Sequence, residues 1–129
     1  MARRKSSYPT ELELEILKIL WRNGPSLVRH VRKELAQFRE LAHTSVMTML
    51  TIMVEKGYLK RAKKGNRHIY RPIVTEEEIT SGMIGDIVNR VFDGSAMAAV
   101  VNLLETGDIE EQELAELRKL IRQKEKGQQ

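Results

Sequence analysis

Residues 43–71, HTSVMTMLTIMVEKGYLKRAKKGNRHIYR, decide the fold. Val46, Leu50, Met53 and Val54 recur at the spacing of one helical face, and Lys56-Gly57 supplies the glycine that commonly stops a helix. The period then changes. Tyr58-Leu59-Lys60-Arg61-Ala62 and Arg67-His68-Ile69-Tyr70-Arg71 are two short β-prone runs, and Lys64-Gly65-Asn66 between them is a hairpin turn. A helix running straight into a basic hairpin is the closing half of a winged helix-turn-helix if two helices precede it.

Two helices do precede it. Thr10 and Glu13 form a capping box, after which Leu12, Ile16, Ile19 and Leu20 share a face with Leu17 and Trp21 beside them. Asn23-Gly24-Pro25 ends that helix. Ser26 is the expected cap of a second, with Val28, Val31 and Leu35 as its stripe. After a break near 37–42, the third helix is expected to be capped near His43-Thr44.

Past Pro72 the chain changes character. Thr75 and Glu78 open a fourth helix carrying Ile79, Met83, Ile87 and Val91, and Asp93-Gly94-Ser95 interrupts it. A short helix with Met97, Val100, Val101 and Leu104 follows. Asp108 and Glu111 are expected to box the last one, which carries Leu114, Leu117, Leu120 and Ile121. The expected architecture is therefore mainly α with a small β-hairpin, a winged helix-turn-helix over residues 1–74 and a three-helix dimerisation region over 75–129. About 50 residues of helix cannot bury a self-sufficient core, so their stripes need either the N-terminal unit or a second copy of the chain. The dimer is preferred, because two reading heads add affinity and reach. Its interface is assigned to Ile87, Val91, Val100, Leu104, Leu114, Leu117 and Ile121.

Charge divides the same way. Among 129 residues the net charge is +4, but residues 1–74 hold 16 Lys and Arg against 6 Asp and Glu, whereas residues 75–129 hold 6 against 12. A basic half joined to an acidic half suggests that only the first meets a polyanion. If the third helix lies in a major groove, Thr44, Met47, Thr48, Thr51 and Ile52 face the bases, hydroxyls to base edges and carbons to thymine methyls. Backbone phosphates would be met by Arg3, Arg4 and Lys5 in an N-terminal arm, by Arg29 and Arg32 on the second helix, and by Lys60, Lys63, Lys64 and Arg67 in the hairpin. A cationic hairpin also discourages edge-to-edge pairing.

Other classes find little support. Cysteine is absent, which excludes disulfides and thiol chemistry. His30, His43 and His68 lack the spacing of a helical metal site, and no nucleophile motif or phosphate-cradling loop occurs. No cofactor, metal or catalytic residue is assigned. No apolar run reaches the roughly 18 residues of a membrane span, and the basic N-terminus is not a secretory signal; a cytoplasmic protein without membrane insertion is expected. Two rivals to the repressor reading remain, a protein-interaction adaptor using the winged helix without sequence-specific DNA binding and a ligand-sensing transcriptional regulator, the latter lacking any convergent polar set visible in the sequence.

Three stretches, TELELEILKILW (10–21), AHTSVMTMLTIMVEKGYL (42–59) and IEEQELAELRKLI (109–121), resemble the penicillinase-repressor family, often called BlaI/MecI. The similarity runs from about Tyr8 to Lys124. It implies a non-enzymatic, homodimeric winged-helix repressor on a palindromic double-stranded operator, joined through its C-terminal helices. It further implies relief by a membrane-bound sensor metalloprotease that cuts an Asn-Phe bond, which falls on Asn102-Leu103 here, with Leu in place of Phe. Family repressors carry basic residues where this chain has Met47 and Ile52, while Thr48 and Thr51 match. The cysteines of copper-responsive relatives are missing.

Overall fold

The computed structural model describes residues 8–128, and the chain divides after Asp86 into two compact units. The first begins with α1 (Glu11–Asn23). Thr10 Oγ1 accepts from the Glu13 amide at 3.2 Å, and Glu13 Oε1 accepts from the Thr10 amide at 2.8 Å, which satisfies two of the donors a helix start leaves free. Ile16, Leu17, Ile19 and Leu20 are buried. Gly24, at φ +80°, donates its amide to the Leu20 carbonyl and ends the helix.

Ser26 does not cap the second helix. Ser26 and Leu27 form a strand, β1, before α2 (Val28–Leu35), whose N-cap position is Leu27 with no side-chain cap. The hairpin explains the difference. Strands β2 (Leu59–Lys64) and β3 (Arg67–Pro72) pair antiparallel, and β1 adds to the far side of β3, with Ser26 opposite Tyr70 and Leu27 opposite Ile69. Tyr70 is buried, so the backbone beside it needs partners that water cannot supply. β1 provides them, and the sheet order is β1-β3-β2. The cap expected at His43-Thr44 is also absent, since α3 (His43–Glu55) starts from Ala42 without a side-chain bond.

Helices α1 to α3 and the base of the sheet enclose one core. Val31 and Leu35 come from α2, Val46, Leu50 and Met53 from α3, and Tyr58, Leu59 and Tyr70 from the sheet region. Each such aliphatic side chain contributes about 1.5–3 kcal/mol by leaving water. Trp21 Nε1 donates to the Val74 carbonyl at 2.9 Å. That bond ties α1 to the segment before α4 (Glu76–Val91), whose Ile79 completes the core. At the start of α4 the expected box is present, with Thr75 Oγ1 accepting from the Glu78 amide at 3.1 Å. Among the described residues one buried side chain is charged: Glu13 Oε2 accepts from Lys56 Nζ at 2.8 Å, joining the first turn of α1 to the end of α3.

The second unit comprises the end of α4, α5 (Ala96–Thr106) and α6 (Glu111–Gly127). Ser95 caps α5 through its hydroxyl, which accepts from the Ala98 amide at 3.0 Å. The box of the last helix is displaced by two residues from its expected place. α6 starts at Glu111, so the reciprocal pair is Glu110 with Glu113, and Asp108 lies too far upstream to cap it. None of the described residues of this unit is buried. No single helix among the described residues is long and apolar enough to cross a membrane.

Candidate nucleic-acid interface

The 3.6-residue period of α3 separates two faces. Val46, Leu50 and Met53 are fully buried and fix the helix on the core, leaving Thr44, Met47 and Thr48 on the outside. Met47 is 41% exposed, whereas Met49 packs against the core. Thr51 and Ile52 are half-buried. The Thr51 hydroxyl donates to the Met47 carbonyl at 3.0 Å, so its oxygen is left to act as an acceptor. The hydroxyls of Thr44 and Thr48 have no partner within the described chain.

The hairpin is a cationic blade. Gly65, at φ +64°, occupies the first position of a two-residue turn, where a type II′ hairpin requires glycine. Lys60 stands opposite Arg71 and Lys64 opposite Arg67, and all four are exposed. Like charges placed directly across a sheet destabilise it. Among the described residues none of these cations is neutralised by a carboxylate. Folding gains nothing from that arrangement, whereas a polyanion would relieve it.

A cavity of about 350 Å³ shows that the three elements meet. Leu27, Val28 and Arg29 line it from the β1–α2 junction, His43 and Met47 from α3, and Asn66 to His68 from the hairpin, with Tyr70 beneath. A neighbouring cleft gathers Arg29, Arg32 and Lys33 around His43, with Glu40 as its one carboxylate. Arg32 is partly engaged, because its Nε donates to the Leu41 carbonyl at 2.9 Å, but four of the five guanidinium donors remain. The exposed side of α3, the start of α2 and the hairpin tip thus form one cationic surface.

Residues 9–123 match the family model described as penicillinase repressor. The chain belongs to the penicillinase repressor family. A penicillinase repressor of Bacillus licheniformis is 27% identical over 112 residues, covering 87% of this chain and 88% of the relative. A transcriptional regulator BlaI of Mycobacterium tuberculosis is 33% identical over 97 residues, covering 74% and 70% respectively. The solution structure of the DNA-binding domain of the repressor BlaI aligns with a TM-score of 0.51 at 28% identity, covering 59% of this chain and 93% of that domain. Members of the penicillinase repressor family are transcriptional repressors and not enzymes, and the winged-helix order read from residues 43–71 is the fold this chain adopts.

Arg29, Lys60, Lys63, Lys64 and Arg67 are exposed on the cationic surface, while Arg3, Arg4 and Lys5 lie outside the described residues. Ile87, Val91, Val100, Leu104, Leu117 and Ile121 are all large, apolar and exposed, and Leu114 is half-buried. Asn102 and Leu103 are exposed in the middle of α5, where the Asn102 carbonyl accepts from the Thr106 hydroxyl at 2.7 Å. Among the described residues no three His, Asp or Glu side chains gather to hold a metal ion.

Sequence reasoning missed six contributors. Arg61 and Arg71 are exposed beside the assigned hairpin lysines, and alternation along the strands would have found them. His43, His68 and Asn66 gather only because β1 draws the start of α2 against β3, and two residues of strand carry no period to read. Glu13 was visible as a capping residue but not as the buried partner of Lys56. Burial and the Glu13 carboxylate both push the nearby Tyr58 hydroxyl above the ordinary tyrosine range, which keeps it neutral.

Proposed function

We propose that this penicillinase repressor relative is a homodimeric transcriptional repressor that reads a palindromic operator with α3 and holds the flanking phosphates with α2 and the hairpin. The observation that carries this reading is the convergence of three elements on one unneutralised cationic surface, with the outer face of α3 at its centre. Met47, Thr48 and Thr44 supply carbon contacts and hydroxyls to bases. None of them can make the bidentate contact that Arg, Asn or Gln makes, so affinity leans on phosphates and falls steeply with salt. The exposed apolar side chains of α5 and α6 support pairing with a second copy.

An adaptor that docks on an acidic protein would share the charge but would not need hydroxyls and a methionine laid along the outer face of a helix. Proteolytic relief at Asn102-Leu103 rests on the resemblance alone. The bond is helical in this structure, and a protease needs the segment extended.

Thr48 tests the assignment of α3. Its side chain is exposed and free of internal bonds, so Thr48→Glu leaves the fold and the dimer unchanged while placing a negative charge against the duplex. Operator affinity in a gel-shift titration is expected to fall by at least about a hundredfold, roughly 2.7 kcal/mol. Unchanged affinity would remove α3 as the reader.

A further inference from the structure

We propose that the cavity between the hairpin and α3 is a second ligand site, one that takes a compact organic anion with a flat apolar body, and that a molecule seated there competes with the duplex. The competition rests on the DNA-binding reading above; the seating does not.

Size comes first. About 350 Å³ lies at the lower end of small-molecule sites and would hold roughly ten or more waters at liquid density. A lone phosphate group, with five non-hydrogen atoms, leaves most of that space wet. The wet walls would be poor ones for water, because Leu27, Val28 and Met47 offer it no hydrogen bonds and Tyr70, 1% exposed, closes the floor. An apolar body displaces that water at a gain of about 25 cal/mol for each Å² it covers.

Charge comes second. Arg29 and Arg67 stand at the rim together with His43 and His68, and no Asp or Glu lines the cavity. Among the described residues neither arginine has an ion-pair partner. Both helices that reach the cavity, α2 and α3, do so at their N-termini, and neither has a side-chain cap. Their free amides add partial positive charge on the same side. A carboxylate or similar anion is therefore selected over a neutral molecule of the same shape, while Asn66 can both donate and accept at the rim.

Competition follows from shared atoms. Met47 belongs to the exposed face of α3 and Arg67 to the hairpin, so a ligand that occupies both removes one carbon contact and one phosphate contact from the duplex.

The full chain with labelled methyl groups tests the seating without DNA. 2-Naphthoate is the probe, with 2-naphthamide and inorganic phosphate as comparators at the same ionic strength. Naphthoate is expected to shift the methyl signals of Leu27, Val28 and Met47 saturably, at least tenfold more tightly than naphthamide, with phosphate giving no such saturation. Arg67→Gln is expected to weaken naphthoate at least fivefold. Equal shifts with phosphate would make the cavity a seat for operator backbone, and equal affinity for naphthamide would remove the role of charge; either result overturns the proposal, as does silence at millimolar naphthoate. Fluorescence anisotropy with a labelled operator tests the second half. Operator Kd is expected to rise in step with naphthoate occupancy. Methyl shifts without any change in that Kd would overturn the competition, and failure of the untreated chain to bind the operator would instead strike the DNA-binding reading.

Discussion

Glu13 does two things with one carboxylate. One oxygen accepts from the Thr10 amide at the start of α1, and the other holds Lys56 at the end of α3. The carboxylate is almost wholly buried and the Lys56 side chain is 16% exposed, so losing the lysine leaves a charge that water cannot reach. Lys56→Met is expected to lower stability by roughly 2–4 kcal/mol in urea unfolding, since breaking one side of a buried pair costs more than the pair itself contributes. A change below about 0.5 kcal/mol would mean that the capping bond alone satisfies Glu13. The methionines divide just as sharply. Met47 stays outside because neighbouring Val46 and Leu50 already fill the inward positions of α3, and the period of that helix leaves it no way in.

At the scale of elements, the hairpin is the part whose sequence makes least sense for folding alone. Two like-charge pairs face each other across β2 and β3, and nothing among the described residues neutralises them. Each lysine that meets a phosphate releases counterions and steepens the salt dependence of binding by about one unit of slope. Lys63→Ala combined with Lys64→Ala is therefore expected to flatten the plot of log affinity against log salt by about two, measured by anisotropy from 50 to 200 mM salt. An unchanged slope would show that the hairpin tip stands clear of the backbone. α1 and α4 are legible in the sequence because a capping box opens each apolar stripe, α3 because Gly57 follows its stripe and the hairpin because Gly65 marks its turn, whereas α2 is legible by its stripe alone. β1 was not, because Ser26 and Leu27 read as the approach to a helix until Tyr70 is known to need a partner. The start of α6 lies two residues beyond its expected place because Asp108, Glu110, Glu111 and Glu113 offer overlapping boxes, and only the helix geometry chooses between them. The cavity was illegible for a different reason: its walls come from residues 27–29, 43–47 and 66–70, which no local pattern connects.

At the scale of the molecule, the distribution of apolar surface complements that of charge. The first unit gathers its buried hydrophobic residues into one core, and the second leaves Val100, Leu104, Leu117 and Ile121 exposed, 37–58% each. Because these side chains are uncovered within a single chain, Leu117→Asp is expected to leave the melting of α1–α3 unaltered. It is also expected to convert a micromolar dimer to a monomer in sedimentation velocity and to weaken operator binding at least tenfold. A parent chain that sediments as a monomer at that concentration would contradict the pairing. A repressor of this kind must discriminate one duplex from another with its cationic surface. The most direct measurement enriches the best-bound sequence from a random duplex pool and compares its Kd with that of a scrambled duplex of equal length near 0.15 M salt. A preference of about a thousandfold or more is expected for a specific repressor; equal affinity for the two duplexes would contradict the account.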